Sequence, residues 1–223
     1  MKKDQHNPEG DGFIQQKFFV GKCHYFRSRE LKPGQVDFYF SHFGKVKKLL
    51  DLGCGSGSIG KYKPDSSIEV FGLDSDPGAI KEASCYEKAQ LYDLERGALP
   101  FPEGFFCAVL AKDILEHLVR PQVLIQEIFR VLKPGNLVIA SVPMPKPRVV
   151  WGDYSHIRGF TIDALGTMFE DGGFRVVSIW RMGGVPLTGR LGLIRWVPWL
   201  LKFPLLDYLY GSSFEIKAYK PSG

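Results

Sequence analysis

Leu49-Leu50-Asp51-Leu52-Gly53-Cys54-Gly55-Ser56-Gly57-Ser58-Ile59-Gly60 carries an apolar strand straight into a glycine loop. Glycines in that position let the backbone approach a ligand closely at the start of a helix. The stretch implies a bound nucleoside cofactor, although nicotinamide, flavin and methyl-donor proteins all place such a loop after their first strand. The sequel narrows the reading. Ile68-Glu69-Val70-Phe71-Gly72-Leu73 reads as a second buried strand and ends in Asp74, 21 positions after Gly53. A carboxylate at that strand end can accept hydrogen bonds from both ribose hydroxyls, at the spacing a strand-helix-strand unit requires. The plainer alternative is that Asp74 caps the turn before Pro77.

Three later segments separate a dehydrogenase from a different class. Gln90-Leu91-Tyr92-Asp93-Leu94-Glu95 ends a third strand with an acid, and Gly97-Ala98-Leu99-Pro100-Phe101-Pro102 turns into a fourth, Phe105-Phe106-Cys107-Ala108-Val109-Leu110. Asp113-Ile114-Leu115-Glu116-His117-Leu118 follows, then a helix with Ile128-Phe129-Arg130-Val131-Leu132 and the stop Lys133-Pro134-Gly135. In this order the motifs resemble those of class I S-adenosylmethionine-dependent methyltransferases, in the small-molecule, type 11 branch that includes MetW-like and UbiE-like enzymes. The resemblance covers roughly residues 45 to 180, and the ordered set is more specific than any one motif.

The resemblance implies S-adenosyl-L-methionine as cofactor, S-adenosyl-L-homocysteine as product, and a role for each motif. Backbone at Gly53, Cys54 and Gly55 lies against the methionine portion, and Asp51 helps orient it. Asp74, with Ser75 beside it, holds the ribose. Asp93 reaches the adenine amine and Leu94 covers the ring, whereas the plainer reading of Asp93 is a turn residue. Lys112 and Asp113 border the methyl-transfer opening. Two departures stand out. The fourth strand opens Phe106-Cys107 where relatives have Phe-Asp, and only 16 residues separate Gly57 from Asp74, which leaves a short first helix around Ser58 to Tyr62.

Alternating strand and helix patterns favour a mostly parallel sheet covered on both faces. The expected fold is α/β: a Rossmann-like, seven-stranded, mostly parallel sheet whose last strand, by resemblance, runs antiparallel between its neighbours. Gln35 to Val46 reads as a helix before the first strand. Asp76 and Pro77 supply an N-cap and first-turn proline for a helix to about Tyr86. Leu137 to Val142 is the fifth strand, and the prolines from Pro143 to Pro147 end it. Thr161 caps a helix closed by Gly172-Gly173, with Phe174 to Trp180 and Phe214 to Tyr219 as the last strands.

With 223 residues and 44% hydrophobic content, the chain fits one domain over 13–223 behind a flexible polar arm at 1–12. Cys23, Cys54, Cys85 and Cys107 show neither metal-ligand spacing nor a disulfide framework, so no metal is assigned and a reducing, cytoplasmic setting is expected. The start of the chain shows no signal-peptide pattern.

Substrate choice should lie in three additions to the scaffold. Residues 13–44 form an amino-terminal lid or helix, in which Tyr25 and Arg29 either cover the methionine carboxylate or lie on a solvated polar helix. Trp151 to Phe160 brings His156 to the acceptor side, either as general base or as the organiser of its loop. His117 is read as a packing and orienting residue. The third addition, 183–211, is apolar, with Trp196 and Trp199 beside Arg195 and Lys202. It serves as a lid over the acceptor, as a homodimer face or as a peripheral membrane contact; charges and prolines interrupt any membrane span. The net charge of +5 gathers at the end: residues 172–223 hold seven Lys and Arg against two Asp and Glu. Without a recognisable module or basic stripe, nucleic acid is not an expected partner. The composite expectation is methyl transfer to a small apolar acceptor, most readily on oxygen. A nicotinamide-dependent oxidoreductase and a cofactor-binding scaffold without turnover are the alternatives.

Overall fold

Lys48–Leu52 forms the strand β1, with every residue after Lys48 buried. A strand covered on both faces needs no polar alternation, which is why this one reads as a near-continuous apolar run. The computed structural model describes residues 30–183 and 211–222. The arm at 1–12, the lid residues Tyr25 and Arg29, and the apolar stretch 184–210 lie outside the described residues.

The order of elements is α1 (Pro33–Phe43), β1, α2 (Ser58–Lys61), β2 (Glu69–Asp74), α3 (Pro77–Glu82), β3 (Lys88–Leu91) and β4 (Phe106–Lys112). Then come α4 (Pro121–Val131), β5 (Leu132–Pro143), α5 (Pro147–Val150), α6 (Ile162–Asp171), β6 (Arg175–Gly183) and β7 (Gly211–Tyr219). They build a seven-stranded sheet in the order β3-β2-β1-β4-β5-β7-β6. The pairs among β1 to β5 are parallel, and β7 is antiparallel to both β5 and β6. The expected fold class, including the antiparallel strand between its neighbours, is the one observed.

Alternation along each strand divides the interior in two. Leu50, Leu52, Leu73, Val109 and Ala111 join α4 and α6 in one core. Leu49, Val70, Ala108, Leu110 and Ile139 join α1 in the other. Lys220, almost fully buried, donates to the carbonyls of Phe129 (2.8 Å) and Leu132 (3.0 Å). Its cation thereby satisfies carbonyls that the end of α4 leaves without partners.

Element boundaries move for local reasons. Helix α1 begins earlier than expected because Pro33 suits a first helical turn, and it stops at Gly44, whose φ is 70°. Helix α3 keeps its Asp76 cap (2.7 Å to the Gly78 amide) but ends at Glu82, and Tyr86 is buried in the α1-side core. Helix α4 stops at Val131, and Leu132 already pairs with Phe106, so β5 starts before Lys133-Pro134-Gly135. The fifth and sixth strands run longer than expected, and the short helix α5 was not foreseen. Thr161 caps α6 as expected, accepting from the Ala164 amide at 3.2 Å.

Candidate active site

The parallel strands all end on one edge, and the chain leaves β1 toward β2 on one side and returns as β4 on the other. Ligands of such sheets bind in the crevice at that switch point. The glycine loop lies there. Gly53 and Gly55 have φ of 71° and 51°, a conformation that glycine adopts without the strain a side chain brings. A Cβ on Gly53 would stand 2.1 Å from Ile114 Cδ1, so the segment after β4 closes directly over the loop.

Asp74 ties this loop to β2. Its Oδ2 accepts from the Gly55 amide and its Oδ1 from the Asp76 amide, both at 2.9 Å. Such a carboxylate is held in place while keeping lone pairs for further donors. Ser75 follows it and is exposed. Below the loop, Asp51 is buried and accepts from the Tyr86 hydroxyl at 2.5 Å. Burial pushes its carboxyl up to about 7 against the opposing pull of that hydrogen bond. Cys54 is buried beside it, and burial raises its thiol above the usual range.

Asp93 lies past the end of β3, exposed, where it accepts from the Glu95 amide at 3.0 Å and caps a single turn over Leu94–Arg96. Leu94 leans on the core below that turn. Across the crevice, Lys112 pairs with Asp113. Asp113 has a φ of 53° and is pinned by β5: its Oδ1 accepts from the Ser141 hydroxyl at 2.7 Å, and its amide reaches the Ser141 carbonyl at 3.1 Å.

His156 is turned inward. Its side chain is 9% exposed, Nδ1 is 2.7 Å from the Val150 carbonyl, and Nε2 faces Glu116 (3.8 Å) and Asp153 (3.6 Å). His117 packs against it with ring centroids 4.7 Å apart. Burial, followed by the neighbouring His156, holds the His117 imidazole below its usual pKa.

The structure therefore gathers Asp51, Gly53, Cys54, Gly55, Asp74, Ser75, Asp93, Leu94, Lys112 and Asp113 along one sheet edge, with His156 in the loop beyond β5. Several residues have no role in the sequence reading. Tyr86, Ser141 and Ile114 carry no motif signal, because their partners are 28 to 61 positions away. Glu215, buried on β7, accepts from the Tyr39 hydroxyl at 3.3 Å, and burial pushes it up to about 8. A lone acid in an apolar strand was the available signal there. Before α1, Glu30 accepts from the Ser56 hydroxyl at 3.3 Å and the Leu31 amide donates to Ser58 at 3.0 Å.

Comparison with known proteins agrees with this geometry. Residues 50–140 match a methyltransferase domain family. Phosphoethanolamine N-methyltransferase 1 of Arabidopsis thaliana is 27% identical over 74% of this chain and 34% of its own length. A malonyl-acyl-carrier-protein O-methyltransferase of Enterobacter lignolyticus (strain SCF1) is 28% identical over 57% of this chain and 54% of its own. The chain thus spans a third to a half of the length of these curated relatives. A SAM-dependent methyltransferase from Archaeoglobus fulgidus, 22% identical, shares the fold with a TM-score of 0.71 over 91% of this chain and 99% of that one. Residues 50–140 thus match a methyltransferase domain, set on a sheet whose motif order and topology are those expected of a class I S-adenosylmethionine-dependent methyltransferase.

Proposed function

We propose that the chain transfers a methyl group from S-adenosylmethionine to a small, apolar acceptor, on oxygen. The observation that carries this reading is Asp74, held by two backbone amides at the switch point and tied to the glycine loop it faces. The residues fit the cofactor: the close passage at Gly53 leaves backbone where a side chain would intrude, and acids stand at the ends of β2 and β3. Gly53, Cys54 and Gly55 would hold the methionine portion, Asp74 and Ser75 the ribose, and Asp93 with Leu94 the adenine. The cofactor supplies a methyl group on a sulfonium, a good leaving group.

What the chain then contributes is orientation and exclusion of water, which can carry much of the rate. Lys112 and Asp113, fixed by Ser141, would frame the opening. A phenol or carboxylate acceptor needs no base from the protein. The inward placement of His156 supports its loop-organising role, since its Nε2 faces Glu116 and Asp153.

The apolar acceptor is supported by topology. Gly183 at the end of β6 pairs with Gly211 at the start of β7, and Pro143 at the end of β5 pairs with Ser213. The apolar sequence 184–210 therefore leaves and rejoins the sheet on the edge that holds the site. The contacts of Glu30 and Leu31 with the glycine loop support an amino-terminal lid, to which Tyr25 and Arg29 would belong. One relative is named for nitrogen and one for oxygen methylation, so the atom is tested directly. The experiment is label transfer from methyl-labelled S-adenosylmethionine to matched apolar phenols, carboxylates and amines, beside calorimetric titration with S-adenosylmethionine, S-adenosylhomocysteine and NADH. Labelled ether or ester is the expected product. Labelled amine would correct the atom, binding without transfer would favour a scaffold, and NADH binding alone would overturn the reading.

A further inference from the structure

We propose that Glu116, His117 and His156 form a binding site for one divalent first-row transition metal ion. One ligand atom from each of the three lies within 4.8 Å of the others. Glu116 and His117 come from the turn after β4 (Leu115–His117), whereas His156 comes from the loop after β5, 39 positions later. No local spacing signals the group, and the sequence reading assigned the chain no metal.

Glu116 makes the case. It is 1% exposed, and both carboxylate oxygens are buried without a hydrogen-bond partner. A carboxylate in that state costs several kcal/mol unless a cation or a proton neutralises it (~3 kcal/mol or more). What faces it decides which. The Nε2 atoms of His156 and His117 stand 3.8 and 3.9 Å from Glu116 Oε1.

The opposite edge of each ring sets its tautomer. His156 Nδ1 lies 2.7 Å from the Val150 carbonyl, which can only accept, so Nδ1 carries the hydrogen. His117 Nδ1 faces the Ser155 carbonyl at 3.3 Å and the Ser155 hydroxyl at 3.2 Å, whose own hydrogen goes to Asp153. With Nδ1 occupied in this way, Nε2 is the nitrogen that each ring leaves to a ligand on the Glu116 side. Metal-binding histidines are oriented in this way, with the second nitrogen donating to a carbonyl.

The distances favour a metal over a shared proton. A charge-assisted hydrogen bond would draw nitrogen and oxygen to about 2.7–2.9 Å. Ligands bonded at ~2.0–2.2 Å to a shared cation stand roughly 3–3.5 Å apart, a few tenths of an ångström inside the 3.8 and 3.9 Å here, so an ion would draw the three groups slightly together. Two imidazoles and one carboxylate, without thiolate, suit Zn²⁺, Mn²⁺, Fe²⁺ or Co²⁺ better than Ca²⁺. Asp153 Oδ2, 3.6 Å from His156 Nε2, lies beside this group and outside it. A bound ion would pin the 151–160 loop to the end of β4.

The test uses tag-free, full-length protein stripped with a chelator and titrated with Co²⁺ and then Zn²⁺. The expected result is visible ligand-field absorption saturating at one Co²⁺ per chain and bleached by one Zn²⁺. Affinity should fall about 100-fold in Glu116→Gln and 10- to 100-fold in His117→Asn and His156→Asn, and remain unchanged in His42→Asn. Circular dichroism of each metal-free variant checks that it folds. Protease nicking of the 151–160 loop should slow on addition of Zn²⁺ in the wild type but not in Glu116→Gln. Absence of a Co²⁺ spectrum in the wild type, binding no tighter than millimolar, or a spectrum undiminished in Glu116→Gln overturns the proposal and leaves Glu116 as a protonated core acid. These readouts need no acceptor, so they stand or fall separately from methyl transfer.

Discussion

Replacing Asp74 by alanine tests the cofactor site most directly, because the structure gives this carboxylate two separable tasks. The first is internal. Loss of the side chain frees the amides of Gly55 and Asp76, each bonded at 2.9 Å. Hydrogen bonds to a charged acceptor contribute ~1.5–3 kcal/mol each, and water recovers much of that at a half-exposed position. A stability loss of about 1–2 kcal/mol, or about 2–8 °C in melting temperature for a chain of this size, is therefore expected. The second task is ligation. Two ribose hydroxyls on one carboxylate are worth about 3 kcal/mol net, which corresponds to roughly a 100-fold rise in Kd. Calorimetric titration with S-adenosylmethionine and S-adenosylhomocysteine measures that effect, with melting curves run in parallel. Asp74→Asn retains an acceptor oxygen but not the charge, and should weaken binding about 10-fold. Asp65→Ala, in the exposed turn before β2, should bind as the wild type does. A folded Asp74→Ala protein whose Kd stays within about threefold of the wild type would refute the ribose assignment and leave Asp74 with its loop-bonding task alone.

Two further substitutions probe the same crevice. Gly53→Ala places a methyl 2.1 Å from Ile114 Cδ1 at a φ of 71°, so it should cost about 1–3 kcal/mol and reduce cofactor affinity more than stability. Adding Ile114→Ala removes both clashing carbons, Cδ1 at 2.1 Å and Cγ1 at 2.8 Å, and should restore part of the affinity; no recovery would show that backbone strain alone dominates. Asp51 and Glu215 have folded pKa values raised to about 7 and about 8, well above ordinary carboxylates. The unfolded chain releases these protons first, so their contribution is full below about pH 4, is lost as pH rises, and is spent above about pH 8. Urea unfolding should show Asp51→Asn removing up to ~1.4 kcal/mol per pH unit of the decline between about pH 4 and 7. An unchanged slope would mean that Asp51 is ionised at neutral pH with ordinary affinity for its proton.

Much of the fold is legible because its signals are local. Asp76-Pro77 and Thr161 announce helix starts by cap chemistry, and both caps form their hydrogen bonds. The glycine loop and Asp74 are legible for the same reason, since a strand-helix-strand unit confines them to a narrow spacing. The end of α3 is not, because it depends on Tyr86 reaching Asp51, 35 positions earlier. Nor is the start of β5, where pairing of Leu132 with Phe106 overrides the expected stop at Pro134. The inward turn of His156 likewise depends on Val150 and Glu116, which meet it through loop geometry that no periodicity encodes.

The place of β7 bears on how the chain reaches its native state. It is interior to the sheet yet is made after both strands that flank it. During synthesis, β1 to β5 can zip together as each emerges, but β6 has no neighbour until residues 211–219 have left the ribosome. Until then β5 is an additional open edge and β6 has no partner on either side, and their unpaired backbone can capture a strand from another molecule. Closure of the sheet waits for a single late insertion that fills both vacancies at once. A premature stop before residue 211 would thus strand a chain with its glycine loop already made and its sheet split in two.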